Sequence, residues 1–229
     1  MSSCSKLHFL DIRDLCLPRE ELAASLKVLQ KPLWREQLYA LMDEAEKIAR
    51  PKVCWIESRP EFISDEELVL EGCKIHSRTL VMAFQKAMEW QDGLVFPFVA
   101  TCGKELDEWY SNAPTGLPAF WAQAIAEYAM QVAVKTIETE LKGKKGVLSR
   151  IEPGIPADWP LTEQQTLFSI LEGGPESIGV HLNEHLMMIP FKSVSGIYFL
   201  SERFLSPCSY CLFKCERKNG RTCWHGSGQ

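Results

Sequence analysis

Residues 181–223 read HLNEHLMMIPFKSVSGIYFLSERFLSPCSYCLFKCERKNGRTC, and two features within them organise the rest of the chain. The first is a polar segment closed by glycine, Lys192-Ser193-Val194-Ser195-Gly196, set between two runs whose alternation suits strands. Read as a loop, it suits a polar small-molecule site. Successive small residues let backbone amides approach a ligand, the serines add hydroxyls, and Lys192 adds charge. The second feature is a group of four cysteines, Cys208, Cys211, Cys215 and Cys223, spaced C-x2-C-x3-C-x7-C.

Four thiolates this close need a positive centre to offset their charge, which either zinc or an iron–sulfur cluster supplies. Structural zinc usually draws on two separated knuckles. Here Cys211 is shared between the x2 and x3 spacings, a compact arrangement near the ferredoxin run C-x2-C-x2-C-x3-C without matching it. A [4Fe–4S] cluster is the first reading, with Cys223 as the fourth ligand. A zinc that staples a coreless tail is the second, and unliganded or redox-active thiols are the third. The other five of the nine cysteines, Cys4, Cys16, Cys54, Cys73 and Cys102, are scattered and read as apolar or partly buried thiols.

Outward from this stretch, the composition is that of a soluble globular protein: 229 residues, 46% hydrophobic and 24% charged, enough to bury a full core. No run approaches the roughly 18 apolar residues of a membrane span. The first residues, MSSCSKLHFLDIRD, combine neither a basic segment nor an apolar core of signal-peptide length, so the expectation is a cytoplasmic protein and not a disulfide scaffold. A net charge of -5 argues against a partner held by phosphate neutralisation, and no nucleic-acid or membrane partner is expected.

Periodicity sketches the remainder. Residues 34–50 place Leu38, Leu41, Met42 and Ala45 on one side of a helix that Pro51 ends. Residues 94–101 are continuously apolar, as in a strand covered on both faces, although Pro97 argues for an edge or a bulge. Residues 68–75 suit a strand broken by Gly72. Residues 119–141 form the longest predicted helix, apolar over so wide an arc that it must pack on more than one side. Glu127 lies in this apolar section, tipped out to water or held for a specific partner. His181 and His185 lack an H-E-x-x-H context and read as surface or packing residues. Three segments result: an N-terminal strand and helical flank at 1–52, a core at 53–200, and a cysteine-rich tail at 201–229.

Three stretches now carry a resemblance by their shared order: Ala126-Glu127-Tyr128 on the long helix, Ser149-Arg150-Ile151-Glu152-Pro153-Gly154-Ile155-Pro156, and residues 182–196. Together they resemble the reactivation (activation) domain of cobalamin-dependent methionine synthase. The likeness is closest to its short stand-alone relatives, in which Phe98-Val99-Ala100-Thr101-Cys102-Gly103 also has a counterpart. It spans roughly residues 68–199.

The resemblance implies an α+β fold, C-shaped, with a twisted antiparallel sheet flanked by helices and a shallow groove for S-adenosylmethionine. It also implies reductive activation of a corrinoid partner, methionine synthase or another corrinoid methyltransferase. That partner supplies the cobalamin, one electron reduces its cob(II) state, and S-adenosylmethionine then gives the methyl group. Carried over by position, Glu127 would engage the amino acid portion of the ligand and Arg150 its carboxylate. The backbone of Pro153, Gly154 and Ile155 would line the groove, and Ser193, Val194, Ser195 and Gly196 would form or support the adjoining wall. No side chain is assigned a catalytic role, since an in-line methyl donor needs positioning more than acid–base help.

This chain departs from the family pattern twice. Ile155 stands where the family has a tyrosine after the proline-glycine pair, removing an aromatic contact. The cysteine tail is absent from the large methionine synthases and suggests an in-built relay fed by a low-potential donor such as ferredoxin or flavodoxin. The alternative from another functional class is a non-catalytic partner of a corrinoid methyltransferase, its tail stapled by zinc.

Overall fold

The computed structural model of the protein describes residues 6–88, 93–142, 146–202 and 204. In chain order these form β1 (Leu7–Asp11), α1 (Arg19–Ser25), α2 (Pro32–Ile48), β2 (Lys52–Ile56), β3 (Glu61–Phe62), β4 (Glu67–Leu70), β5 (Cys73–His76), α3 (Arg78–Met88) and β6 (Val95–Thr101). They continue with α4 (Lys104–Ser111), α5 (Leu117–Glu140), β7 (Val147–Ile151), a single 3-10 turn (Leu161–Glu163), α6 (Gln164–Ile170), α7 (Gly174–Ser177), β8 (His181–Leu182), β9 (Met188–Ile189) and β10 (Ser193–Ser201).

The main sheet runs β1-β2-β6-β10-β7 with every neighbouring pair antiparallel, so β1 contributes an edge strand to the sheet that carries β7 at its other edge. β6 is buried along its whole length, which is why its sequence is continuously apolar. Pro97 does not place β6 at an edge as its sequence suggests. The ladder to β2 ends at Trp55 opposite Phe98 and resumes only at the isolated Ser58–Val95 pair. Pro97 falls in that interruption, where its missing donor is tolerated.

The segment expected as a loop, Lys192 to Gly196, is also corrected. Ser193 begins β10, and Gly196 lies opposite Phe98 in the middle of the sheet. Small polar residues are accommodated inside because each finds a partner. Ser193 Oγ donates to Pro190 O at 2.6 Å and shares a hydrogen bond with Thr101 Oγ1 at 2.8 Å; Ser195 Oγ lies 3.4 Å from Gln164 Oε1. Gly196 is needed for close approach, since a Cβ there would lie 2.6 Å from Ile151 O and 3.1 Å from Phe98 Cε1. Residues 68–75 form the β4–β5 hairpin, with Glu71 and Gly72 both at positive φ, the two-residue turn that matches strand twist.

Helices cover both faces of the sheet. On one, Ala133, Val134, Ile137 and Leu141 on and just beyond α5 pack over Val53, Trp55, Phe96, Phe98 and Tyr198. On the other, α3 and α6 bring Leu80, Phe84, Leu167 and Ile170 against Val99, Ile197 and Phe199, joined by Leu68 and Ile75 of the small sheet. The N-terminal half of α5 has a second duty: Trp121, Ile125 and Ala129 join Leu22, Leu38, Met42 and Leu106 of α1, α2 and α4. One helix serving two cores explains its wide apolar arc. The result is an α+β arrangement of open antiparallel sheets flanked by helices. Among the described residues no helix is long and apolar enough to cross a membrane.

Candidate functional site

Glu127 and Glu138 lie eleven residues apart on α5, close to three full turns, so they share a helix face and are separated by about 16 Å along the axis. Each anchors a different polar group, one at either end of β10.

At the N-terminal end, Lys192 Nζ approaches Glu127 Oε2 to 3.2 Å, the side chains 27% and 30% exposed. Lys192 is held there by its backbone, whose carbonyl accepts Cys102 N–H at 2.9 Å, while Phe191 N–H donates to Asp107 Oδ1 of α4 at 3.1 Å. Glu127 therefore has a specific partner and is not simply tipped into solvent.

At the far end, Arg150 on β7 pairs in register with Tyr198 on β10. Its Nε lies 2.7 Å from Glu152 Oε1, with those side chains only 15% and 11% exposed, and its Nη1 donates to the Tyr198 hydroxyl at 3.2 Å. That hydroxyl in turn donates to Glu138 Oε1 at 2.9 Å. The guanidinium centre is 5.7 Å from the Tyr198 ring and 6.0 Å from that of Phe98, and the two rings tilt against each other at 4.7 Å. Burial opposes the charge on Arg150, but Glu152, Tyr198 and Glu138 outweigh it and raise the pKa, keeping the guanidinium charged. Burial also raises the Tyr198 pKa, with Arg150 opposing and Glu138 reinforcing, so the phenol stays protonated and available as a donor.

Directly after Arg150 and Glu152 comes the Pro153-Gly154-Ile155 turn, with Pro153 buried, Gly154 exposed and Ile155 half-buried. Gly154 has φ +85° and donates its N–H to Trp159 O at 2.7 Å, while Ile155 N–H donates to Glu152 O at 3.2 Å. The turn is thus tied to the strand that carries Arg150, and it leaves glycine backbone at the surface.

The candidate residues do not converge on one point. Arg150, Glu152 and the following turn form one group with Tyr198 and Glu138; Glu127 belongs with Lys192, three helical turns away. Val194 and Gly196 share the α5 face of β10 with Tyr198, whereas Ser193 and Ser195 point to the other face by alternation. Sequence reading passed over Glu138 and Tyr198. The eleven-residue spacing from Glu127 and the period of β10 from Gly196 were signals that could have found them.

Cys208, Cys211, Cys215 and Cys223 lie outside the described residues, as does Cys4. Among the described residues no group of three or more His, Cys, Asp or Glu could hold a metal ion. Cys54 and Cys102 are buried free thiols. Burial pushes Cys54 up to about 12 and also raises Cys102, so neither supplies a thiolate at neutral pH. His181 is exposed on β8, and the Asn183 side chain turns the chain by accepting the N–H groups of His185 and Met187, each at 2.9 Å.

Residues 122–206 match the family described as "Vitamin B12 dependent methionine synthase, activation domain". The fold is similar to that of the MetH reactivation domain, whose crystal structure was determined bound to AdoHcy. The TM-score is 0.57 at 15% sequence identity, over 92% of this chain and 80% of that one. At this identity the likeness is one of fold.

Proposed function

We propose that this protein reductively activates a separate corrinoid protein, a methionine synthase core or a related corrinoid methyltransferase, with S-adenosylmethionine as methyl donor. One observation carries the reading: the family match over residues 122–206 takes in Arg150, Pro153–Ile155 and Ser193–Gly196, the residues expected to line the groove.

The residues present fit a ligand with an amino acid end. Arg150 is charged, fixed by two neighbours through Nε and Nη1, and retains its second terminal nitrogen for a ligand carboxylate. The N–H groups left on Nη1 and Nη2 are those that would meet the carboxylate. Ile155 presents an apolar side chain where the family has tyrosine, and the exposed Gly154 backbone gives the ligand close access to the groove wall. Gly196 supports that wall by letting β7 close on β10, and Val194 continues the same face of the strand toward β6.

When bound, S-adenosylmethionine supplies a methyl group that needs no proton transfer, and the partner's corrinoid supplies the nucleophile after gaining one electron. This chain's part is to hold the donor and meet the partner. Residues 201–229 form the appended relay in this proposal, with Cys208, Cys211, Cys215 and Cys223 holding a [4Fe–4S] cluster fed by a ferredoxin or flavodoxin.

The test mixes the chain with a cob(II)alamin-loaded corrinoid protein, S-adenosylmethionine and a low-potential reductant. The expected result is loss of the cob(II) spectrum and gain of methylcobalamin, dependent on both the chain and S-adenosylmethionine. Conversion at the same rate without the chain defeats the proposal. Anaerobically purified protein is expected to carry about four iron and four sulfide per chain; one zinc and no visible chromophore would instead establish the zinc-stapled, non-catalytic partner.

A further inference from the structure

If the amino acid end of S-adenosylmethionine binds Arg150, its ammonium must lie close to its carboxylate, because a single α-carbon joins them. Glu127 is poorly placed to receive that ammonium. It sits about 16 Å along α5 from Glu138, which shares the Arg150 group, and its carboxylate already holds Lys192 at 3.2 Å. The strand gives an independent measure: Lys192 and Tyr198 are six residues apart along β10 and its approach, about 20 Å in extended chain.

Glu138 meets the geometric requirement. Its Oε1 accepts the Tyr198 hydroxyl at 2.9 Å, and the same hydroxyl accepts Arg150 Nη1 at 3.2 Å. The carboxylate and the guanidinium are therefore no more than two hydrogen-bond lengths apart, bridged by one oxygen. Among the described residues the hydroxyl is the hydrogen-bond partner of Glu138, which leaves its second oxygen to accept a ligand donor. An acceptor and a donor at this spacing suit the two charges of an α-amino acid. Glu152, against the other edge of Arg150, adds a second negative charge, so two carboxylates surround one guanidinium. That balance suits a ligand bearing an ammonium and a sulfonium against one carboxylate.

We propose that Glu138, positioned by Tyr198, is the ammonium-binding residue for S-adenosylmethionine, and that Glu127 is not; this rests on the function proposed above. The full-length chain is titrated by calorimetry with S-adenosylmethionine and with 5′-methylthioadenosine, which keeps the nucleoside but lacks the amino acid. Glu138→Gln keeps an acceptor for Tyr198 and removes the charge. It should weaken S-adenosylmethionine at least tenfold and leave methylthioadenosine within twofold, while Glu127→Gln leaves both within twofold.

Unchanged S-adenosylmethionine affinity in Glu138→Gln overturns the assignment, as does an equal loss for both ligands, which signals a structural effect. A tenfold loss in Glu127→Gln also overturns it and returns the role to that residue. If the unaltered chain binds methylthioadenosine but not S-adenosylmethionine, this inference and the function beneath it fall together; in every preceding case only the inference falls.

Discussion

Tyr198 and Arg150 face each other across β10 and β7, and the tyrosine hydroxyl takes a hydrogen bond from the guanidinium and passes one on to Glu138. The strand edge is thereby fastened to the C-terminal half of α5 through one oxygen. Tyr198→Phe removes the oxygen and preserves the ring packed on Phe98. The expected loss is about 1–2 kcal/mol of unfolding free energy in urea, because two largely covered charged groups each lose a partner. A change within error would mean that solvent replaces both bonds.

Arg150→Ala should weaken S-adenosylmethionine binding at least tenfold by calorimetry. Arg150→Lys should recover only part of it, since an ammonium cannot meet Glu152, Tyr198 and a ligand carboxylate with the geometry of a planar guanidinium. Unchanged affinity in the alanine variant would remove Arg150 from the ligand site.

Gly196→Ala places a methyl group 2.6 Å from Ile151 O and 3.1 Å from Phe98 Cε1. Backbone carbonyl and packed ring leave little room to yield, so β7 must move away from β10. The expected cost is about 1–3 kcal/mol, with ligand affinity falling as the Arg150 group shifts. An alanine variant with an unaltered urea midpoint would show that the strand edge gives way freely.

Asp158 accepts the N–H of Thr79 in the first turn of α3 at 2.8 Å, tying the loop after β7 to that helix. Partial burial would raise its pKa, but the hydrogen bonds from Thr79 and Ser77 prevail and hold it below the ordinary value of 3.8. A carboxyl with a depressed folded pKa stabilises the fold above its unfolded value. That contribution disappears as the pH falls from there through the folded pKa. Asp158→Asn should therefore lower the urea midpoint at about pH 7, and the gap to the unaltered protein should close as the pH falls below the ordinary carboxyl value and through the depressed folded pKa. A gap independent of pH would show that the charge contributes nothing.

The long apolar arc of residues 119–141 and the buried run 94–101 made the long helix and the central strand legible, because period and continuity report burial directly, whereas residues 68–75, read as one strand broken by Gly72, are a hairpin that turns at Glu71 and Gly72. Ser193-Val194-Ser195-Gly196 was misread as a loop because small polar residues look solvated until their partners, Pro190 O, Thr101 Oγ1 and Gln164, are in place. Pro97 was misread as the mark of an edge or a bulge because only the ladder reveals the gap that admits it.

By itself, then, the sequence determined the amphipathic and buried elements, the cysteine spacing, and which charged residues stand in apolar surroundings, since these depend on neighbours along the chain. Only the tertiary structure decided which of those charges meet. Glu127 fell to Lys192, while Glu138, Glu152 and Tyr198 gathered around Arg150. Strand register and the pitch of α5 set that partition, bringing together residues as far apart as Glu127 and Lys192 or Glu138 and Tyr198, and no local pattern encodes it.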